Sequence, residues 1–529
     1  MNDKLRVGLI LDSQTVPHWI YKTIEKIIRS GTADIRLVML NSDKPHEKVP
    51  SGSLMYRIHE MLDRYAVGHR IFYHRTSSLA RLLKEVPETH IQNDFTISRR
   101  EIAVSKLDLI LNLSSFAVPG TAVPLARYGV WHYSIENEEG SVCGFYRETM
   151  EKAPVLAAVV RCSNGAFDGE AVIHRNWFKV NYNSIHVNRN HAFHLCALIL
   201  PRLLGGLSAG GQDFFDRERS RFRQSAQSFV EPALPGNTLA FRNLVAFLSF
   251  YLYRFVVYRT ESRWFIKYQY NGKEKLLVPP SDRFWADPFV VRHQDRVLLF
   301  VEEFIYKRGK AHITLLELNR QGTLLGSRVV LDKPYHLSYP FVFEHDGCWY
   351  MIPETAGNRT IELYKCTGFP DEWTFVMNLM EQIKATDTTV FFHEQKWWLF
   401  TSVNAAPGFE DHNELYLFYS DNLLTNQWTP HPANPLNTDV RTARPAGRIF
   451  MRDGEIIRPS QDCSVRYGRA FNLSRITRLT ENSYAEELLS TTRVDAKSGF
   501  KGTHTFNTDK NIIVTDVYKY NRRLSMSGI

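Results

Sequence analysis

The sequence predicts two domains, an α/β domain followed by an all-β propeller of five blades. Strand-like and helix-like segments alternate through about the first 200 residues, as in a sheet covered by helices. From Ser281 the segment SDRFWADPFV is repeated, with changes, four more times towards the C-terminus. A repeat of about 50 residues that contains short strands is typical of a propeller blade. We place the domains at residues 1–205 and 263–529, with a linker at 206–262.

The first domain alternates short apolar runs with amphipathic segments. Predicted strands are 6–11, 34–40, 107–113, 129–133 and 155–161, and predicted helices are 18–28, 54–65, 78–84 and 192–204. This order favours a mostly parallel sheet covered on both faces. No G-x-G-x-x-G follows the first strand, so a dinucleotide cofactor is not supported.

Each propeller repeat carries a different polar residue at one shared position. These residues are Asp287, Tyr339, Asp387, Arg444 and His504, at steps of 52, 48, 57 and 60 residues. The second strand of each repeat also ends on a polar side chain, namely Glu303, Glu354, Ser402, Gln461 and Asp516. Because the innermost strands of a propeller face its axis, we expect the repeat-position residues to meet in one central cavity.

A polar ligand site at this cavity is the first prediction. Its expected residues are Asp287, Glu303, Tyr339, Glu354, Asp387, Arg444, Asp462 and His504. A water-filled channel is the alternative. Trp285, Trp397 and Trp398, with the Tyr339 ring, could stack on sugar rings or pack between blades. Arg444 and His504 suit an anionic sugar or a phosphate.

Composition and charge limit the classes of protein. Hydrophobic residues make up 44% of the chain, which indicates a globular protein. The net charge of +9 is spread along the sequence without a long Lys/Arg block, so nucleic acid is not indicated as a partner. The six cysteines make no metal-ligand spacing, so no metal is predicted. Residues 1–11 lack a signal-peptide layout, and we predict a cytoplasmic location.

The linker contains an apolar helix at 239–258. Only 11 residues separate Arg242 from Arg254, which is too short for a transmembrane helix. One interpretation is a helix packed between the domains. The other is an amphipathic helix lying on a membrane surface, which would give the protein a peripheral membrane association.

Four segments of the first domain resemble a known family. They are LDLIL at 107–111, FAVP at 116–119, YGVWHYS at 128–134 and FDG at 167–169. Over about residues 4–205 they resemble the formyltransferase domain of methionyl-tRNA and sugar N-formyltransferases. The resemblance implies a Rossmann-like α/β formyltransferase fold and 10-formyltetrahydrofolate as the cofactor, bound beside Phe116, Pro119 and Trp131.

The catalytic motif of that family is altered here. The family uses an Asn and a His two residues apart, with an Asp from a later loop. This chain has His132 and Ser134 at the first two positions, and Asp168 at the third. The resemblance implies that His132, paired with Asp168, acts as a general base. Alternatively, the domain has lost catalysis and serves as a scaffold.

The propeller carries a second resemblance. The segments are FWADP at 284–288, HLSYP at 336–340, IPET at 352–355, ARPAG at 443–447 and RPSQD at 458–462. Over about residues 264–525 they resemble the N-terminal domain of glucosamine inositolphosphorylceramide transferases. The opening also resembles glycoside hydrolase family 43, in which an Asp-Pro of the first blade supplies the base. These resemblances imply a sugar nucleotide, glycan or glycolipid partner.

Three functions remain open on the sequence. The first is formyl or acyl transfer to an amino sugar in cell-envelope glycan synthesis, with the propeller holding the glycan. The second is a non-catalytic glycan-binding scaffold. The third is a glycosidase or transglycosylase with Asp287 as base and Glu303 or Glu354 as proton donor.

Overall fold

The computed structural model describes residues 4–41, 53–68, 75–91, 102, 104–114, 126–164, 170–222, 236–256, 259–294, 296–404 and 414–523. The chain divides into two compact units, Met1–Leu252 and Tyr253–Ile529. Each unit has its own clusters of buried apolar side chains.

The first unit is built around one seven-stranded sheet. The strands described for this unit are β1 Leu5–Leu11, β2 Thr15–Pro17, β3 Ala33–Asn41, β4 Thr76–Ser78, β5 Glu88–Ile91, β6 Leu109–Asn112, β7 Val130–Glu136, β8 Val155–Ser163 and β9 Ala171–Lys179. The sheet order is β5-β3-β1-β6-β7-β8-β9. Strands β5 to β7 in this order pair in parallel, whereas β8 and β9 are antiparallel to their neighbours. The predicted parallel sheet is therefore present, with antiparallel pairs at one edge.

Helices cover this sheet and follow it in the chain. Those described are α1 His18–Ser30, α2 Leu54–Val67, α3 Tyr146–Met150, α4 Ile185–Arg221 and α5 Asn237–Val256. Ser184 caps α4, because its side chain accepts from the Val187 N–H. The helix continues through residues 206–221, so the predicted linker begins later than residue 206. Within the described residues, α4 is long and apolar enough to cross a membrane, but half of its apolar window is buried inside the protein, as in a core helix.

One predicted helix of this unit is wrong. Ser78 ends β4, and residues 79–84 form turns instead of a helix. The Leu79 N–H donates to the Gln14 carbonyl, so this backbone pairs with the segment after β1. Strand β7 is longer than predicted because it pairs with β8 from Val130 to Glu136. His132 lies within this strand, as it does in the predicted strand 129–133.

The second unit is the predicted five-bladed propeller, and each blade is a four-stranded antiparallel sheet. Blade 1 contains β12 Arg283–His293, β13 Arg296–Ile305, β14 Lys310–Asn319 and β15 Leu324–Leu331; blade 2 contains β16 Ser338–His345, β17 Cys348–Thr355, β18 Thr360–Gly368 and β19 Glu372–Glu381. Blade 3 contains β20 Ala385–His393, β21 Lys396–Val403, β22 Glu414–Ser420 and β23 Thr429–Pro430; blade 4 contains β24 Phe450–Arg452, β25 Glu455–Asp462, β26 Ala470–Leu479 and β27 Tyr484–Arg493. Blade 5 contains β28 Phe506–Asp509, β29 Ile512–Arg523, β10 Arg259–Tyr270 and β11 Lys273–Leu277.

Blade 5 closes the ring with strands from both ends of the unit. Its order is β28-β29-β10-β11, so a strand from the end of the chain pairs with one from the beginning of the propeller. The β10–β29 pair runs without interruption from Arg259 opposite Arg523 to Tyr270 opposite Ile512. Ring closure by twelve consecutive residue pairs leaves neither strand as an open edge on that side.

A bulge interrupts the innermost strand of blades 1, 2 and 3 at the repeat position. Each register skips two residues, at Asp287-Pro288, Tyr339-Pro340 and Asp387-Thr388. Asp287, Tyr339 and Asp387 have φ angles of 49°, 44° and 54°. This left-handed backbone costs a non-glycine residue on the order of 1 kcal/mol or more. Such bulges redirect a side chain relative to its neighbours in the strand.

Gly447 gives a test of the packing between blades 4 and 5. Its φ is +148°, and a Cβ atom there would lie 2.0 Å from the Phe506 carbonyl oxygen. We expect Gly447→Ala to lower the free energy of unfolding of the propeller by at least ~2 kcal/mol, because backbone and not a flexible side chain must move. Gly326→Ala is the control, since a Cβ atom there meets nothing within 4 Å. Equal urea-unfolding midpoints for the two variants would contradict this reading.

Candidate functional site

A chain of hydrogen bonds between carboxylates and backbone amides runs around the propeller axis. The Asp287 N–H of blade 1 donates to Asp516 Oδ2 of blade 5 at 3.2 Å. The Tyr339 N–H of blade 2 donates in turn to Asp287 Oδ2 at 3.2 Å. Asp516 Oδ1 accepts from the backbone N–H groups of His504 and Thr505 at 2.9 and 3.1 Å. These bonds join blades 5, 1 and 2 at a common centre, which we call the hub.

His504 carries positive charge on this side of the hub. Its Nδ1 lies 2.6 Å from Asp516 Oδ2, and its Nε2 lies 3.4 Å from Asp287 Oδ1. Burial lowers the pKa of His504, but the carboxylates of Asp516 and Asp287 outweigh burial and raise the pKa to about 9. Burial raises the pKa of Asp287 to about 7, although His504 opposes this shift. The imidazolium is thus already paired within the protein.

Asp387 and Arg444 form the other side of the hub. Arg444 Nε lies 2.5 Å from Asp387 Oδ2, and Gln461 Nε2 donates to the same oxygen at 2.9 Å. Arg444 Nη2 is 3.9 Å from Glu354 Oε2. Burial and the charge of Asp387 raise the pKa of Glu354 to about 8. Glu354 is therefore protonated near neutral pH, which is the state that a general acid requires.

Solvent reaches the hub at what we call the hub mouth. It consists of Glu302, His336, Glu354, Arg444 and Tyr467, which influence one another electrostatically. The Arg444 guanidinium lies 5.0 Å from the centre of the Tyr467 ring, and His336 Nε2 lies 3.4 Å from Glu302 Oε1. The Glu354 and Arg444 side chains are each 14% exposed. An aromatic ring beside partly exposed polar groups is a common arrangement for binding a sugar.

Six of the eight residues predicted for this site meet at the hub. They are Asp287, Tyr339, Glu354, Asp387, Arg444 and His504. Glu303 does not join them in the described contacts, because it accepts from Trp285 Nε1 at 2.8 Å and lies 3.0 Å from His312 Nε2. Asp462 instead accepts from Ser464 Oγ at 2.6 Å and lies 3.4 Å from Arg469 Nη1.

Alternation along the strands accounts for these two differences. Glu302, which precedes Glu303, lies beside His336. Gln461, which precedes Asp462, donates to Asp387. A shift of one residue moves a side chain to the other face of a sheet, and the sequence does not define which of two adjacent polar residues faces inward. Asp516 and Thr505 were also missed, although Asp516 ends the second strand of its repeat as the pattern requires.

The aromatic side chains proposed for sugar stacking pack between neighbouring blades. Trp285, Tyr339, Trp397 and Trp398 are all buried. The Tyr339 hydroxyl also pairs with Thr389 Oγ1 at 3.1 Å. Packing between blades is therefore the role that the structure gives them. Tyr467, which the sequence analysis did not select, is the aromatic residue of the hub mouth.

Charge at the hub differs from the expectation of an anion site. Arg444 and His504 are both engaged by carboxylates, and the hub holds more carboxyl groups than cations. The carboxyl groups are those of Asp287, Glu302, Glu354, Asp387 and Asp516. An additional anion would compete with the carboxylates that already pair with Arg444 and His504, so the hub suits a neutral or cationic sugar better than a phosphate.

A metal could use three of these side chains by spacing alone. Ligand atoms of Asp287, His504 and Asp516 lie within 4.8 Å of one another. The Thr505 hydroxyl donates to Asp287 Oδ1 at 2.8 Å, and His504 is bound to Asp516 as described. Internal hydrogen bonds thus already satisfy this group, and the sequence prediction of no metal stays a prediction.

The predicted catalytic residues of the first unit lie on one strand, apart from Asp168. His132 Nε2 lies 3.6 Å from Glu170 Oε1, and burial lowers the pKa of His132 against the effect of this carboxylate. Asp168 lies outside the described residues. Ser134 Oγ donates to Glu136 Oε1, and Arg161 Nε lies 2.6 Å from the same oxygen. Ser134 therefore supports a fully buried ion pair, and Glu170 is the carboxylate that the sequence analysis missed.

The predicted cofactor residues are only partly described. Phe116 and Pro119 lie outside the described residues. Trp131 is buried, its Nε1 donates to the Tyr128 carbonyl at 2.9 Å, and its ring stacks on Phe215. Its indole ring therefore packs in the core of the unit. Binding of 10-formyltetrahydrofolate stays a prediction.

The fold and the hub together define a five-bladed propeller with a carboxyl-rich centre. Within it, residues 277–519 match the family described as "Glucosamine inositolphosphorylceramide transferase 1, N-terminal". The glucosamine inositolphosphorylceramide transferase 1 of Oryza sativa subsp. japonica is 36% identical over 225 residues, which is 42% of this chain and 30% of the rice protein. The Arabidopsis thaliana protein of the same name is 32% identical over 216 residues, 39% of this chain and 27% of its own length.

The aligned part thus spans less than a third of these relatives. The family match lies in the propeller and does not extend to the first unit, so it does not show a formyltransferase. Among solved structures, the catalytic domain of the Coprinopsis cinerea GH62 α-L-arabinofuranosidase is similar, with 14% identity and a TM-score of 0.34 over 51% of this chain and 99% of that domain. The Zobellia galactanivorans family 117 glycoside hydrolase Zg3597 has 10% identity and a TM-score of 0.34, over 51% of this chain and 92% of its own.

Ionisation of Glu354 gives a pH-dependent test. The folded group keeps its proton up to about pH 8, whereas the unfolded group loses it above about 4.5. Folding therefore takes up a proton between these values, and this contribution lowers the free energy of unfolding as pH rises through that window. Glu354→Gln cannot ionise, so its stability relative to the wild type should increase from about pH 5 to about pH 8. Urea unfolding across this range checks the trend.

Glu344→Gln is the matched control, because Glu344 is exposed on strand β16 of the same blade. Its stability relative to the wild type should not change with pH in this way. A constant difference between Glu354→Gln and the wild type would show that Glu354 is ionised in the folded protein.

Proposed function

We propose that this chain takes part in the assembly of a glycan or glycolipid, and that the propeller binds the sugar at the hub mouth. The observation that carries the proposal is the pairing of Glu354 with Arg444 beside the exposed Tyr467 ring. The similarity of residues 277–519 to transferases that are named for an inositolphosphorylceramide supports the choice of a glycan or glycolipid partner. A sugar nucleotide is the other partner that fits this role.

The chemistry of the hub mouth suits sugar hydroxyl groups. Protonated Glu354 can donate a hydrogen bond, and the carboxyl oxygens of Glu302 can accept one, so both halves of a hydroxyl can be satisfied. Tyr467 offers a ring face on which the apolar side of a sugar ring can stack. Arg444 lies beside both Glu354 and Tyr467 and can donate a further hydrogen bond.

Glu354 also allows glycosidic bond chemistry as an extension of binding. Hydrolysis or transglycosylation requires a carboxylic acid with a raised pKa and a second carboxylate about 5 to 10 Å away across the sugar, and Glu354 supplies the acid. Glu354 would then protonate the leaving oxygen, and this activity would fall as pH rises through about 8. Asp287 is less suited to act on a substrate, because Thr505, Tyr339 and His504 already occupy its oxygens.

Binding of soluble sugars tests the proposal. We expect the wild-type chain to bind an amino sugar, a neutral hexose or the matching sugar nucleotide, measured by calorimetry and ligand-detected NMR. Glu354→Ala and Arg444→Lys should each weaken binding at least ~10-fold, because the first removes a hydrogen-bond donor to the sugar and the second removes the guanidinium. Glu344→Ala should bind like the wild type.

Folding of each variant is checked by its melting temperature. A folded wild-type protein that binds none of these sugars would overturn the proposal. So would hub variants with unchanged affinity.

Acyl transfer by the first unit is a second candidate. The observation that favours it is the proximity of His132 to Glu170, together with the lowered pKa of His132, which leaves a neutral imidazole at pH 7. A neutral imidazole held by a carboxylate can accept the proton of an attacking amine. This candidate retains 10-formyltetrahydrofolate as donor and an amino sugar, free or nucleotide-linked, as acceptor.

His132→Gln tests this second candidate. If the pair is catalytic, the variant should lose at least ~100-fold in the rate of N-formyl product formation, followed by mass spectrometry. His90→Gln is the control, since His90 is an exposed histidine of the same unit. Absence of product with wild-type protein across a panel of acyl donors and amino sugars would remove acyl transfer from consideration.

A further inference from the structure

Helix α5 has two apolar sides, of which only one is used for packing. Its inner side holds Ala240, Asn243, Leu244 and Phe247, which are buried. Asn243 Nδ2 donates to the Tyr146 hydroxyl at 2.9 Å, and the Phe247 ring lies 5.0 Å from the ring of His59. The helix is therefore anchored to the first unit by this side.

The opposite side of α5 is an exposed apolar stripe. It consists of Phe241, Val245, Leu248 and Leu252, which are 56%, 45%, 48% and 65% exposed. Their spacing of four, three and four residues places them along one line of a helix. A surface helix ordinarily carries polar residues there. Helix α1 of the same unit does so, with Lys22, Glu25 and Arg29 joined in ion pairs on its outer side.

Helix α2, next to α5, repeats the arrangement. The Met55 N–H donates to Asn237 Oδ1, which brings the first turns of the two helices together. On α2, Tyr56, His59 and Asp63 are buried, whereas Leu54, Met61 and Tyr65 are exposed. We call these three residues and the four of the α5 stripe the apolar stripes of α2 and α5.

The exposed charged side chains described on α2 and α5 are arginines. Arg57, Arg64 and Arg242 are exposed on the two helices, and α5 contains no acidic residue. The two acidic residues of α2 are both occupied: Glu60 Oε1 lies 2.5 Å from Arg189 Nη1, and Asp63 is buried and accepts from the Ile185 and His186 N–H groups. Exposed arginines without exposed carboxylates beside apolar side chains complement an anionic lipid surface.

The charge pattern favours a lipid surface as the occupant. Each apolar side chain inserted into such a surface contributes separately, at roughly 25 cal/mol per Å² of apolar area removed from water.

We propose that the apolar stripes of α2 and α5 dock the protein on an anionic lipid bilayer, with Phe241 and Leu248 inserted below the headgroups and Arg57, Arg64 and Arg242 at the phosphates. The helices lie along the surface and do not span it. This docking does not depend on sugar binding by the propeller.

Vesicle flotation with the full chain tests the proposal. We expect binding to vesicles of phosphatidylcholine with about one third phosphatidylglycerol, weaker binding to phosphatidylcholine alone, and release by high salt. Phe241→Ser with Leu248→Ser should reduce the bound fraction at least ~5-fold, and Arg57→Glu with Arg242→Glu should abolish the preference for anionic vesicles. These side chains are exposed, so the variants should fold normally.

A matched control is Leu325→Ser with Leu488→Ser, two leucines that are 58% and 52% exposed on propeller strands. This control and Glu354→Gln should float like the wild type. Wild-type protein that does not float with either vesicle, or stripe variants that float like the wild type, would overturn the proposal. Sedimentation that shows a dimer dissociated by the stripe variants, without vesicle binding, would assign the stripes to self-association and also overturn it.

Discussion

The propeller depends on carboxylates that accept hydrogen bonds from backbone amides of the next blade. Asp516 accepts from the Asp287 N–H, and Asp287 accepts from the Tyr339 N–H. The donors at Asp287 and Tyr339 have left-handed backbone, a conformation that these residues adopt only where other contacts stabilise it. The interaction therefore fixes both the bulged strands and the positions of the polar side chains. It also explains why the groups at the centre have strongly shifted pKa values, since holding the bulges requires charges to be buried.

Ring architecture was predictable because its signal is repeated. Five copies of one pattern, spaced by the length of a blade, predicted the propeller and brought Asp287, Asp387 and Arg444 to one centre. The choice between neighbouring residues was not predictable. Glu302 and Glu303 are adjacent carboxylates on one strand, and only the pairing of β12 with β13 decides that Glu303 faces Trp285. The partners of Arg444 were likewise not predictable, because Asp387 and Glu354 come from other repeats.

The α/β unit was less predictable because its signals are local. The apolar runs of β1, β3 and β6 and the helical periods of α1 and α2 were found where expected. Residues 78–84 were misassigned, since a helical composition there is overridden by backbone pairing of Leu79 with Gln14. The resemblance makes Ser134 a catalytic position, yet its hydroxyl donates to Glu136, whose carboxylate is paired with Arg161 on the antiparallel neighbour β8. Tertiary partners of this kind leave no mark in the spacing of a single segment.

The pairing of β10 with β29 in blade 5 has a consequence for biosynthesis. Strand β10 is translated about 250 residues before β29, with which it pairs along its whole length. A nascent propeller on the ribosome must therefore hold β10 and β11 without their neighbours until the last strand emerges, and long-range pairings of this kind fold slowly. During that interval the edge of β10 is open to pairing with other chains, so the yield of soluble protein should depend on chaperones that shield nascent strands.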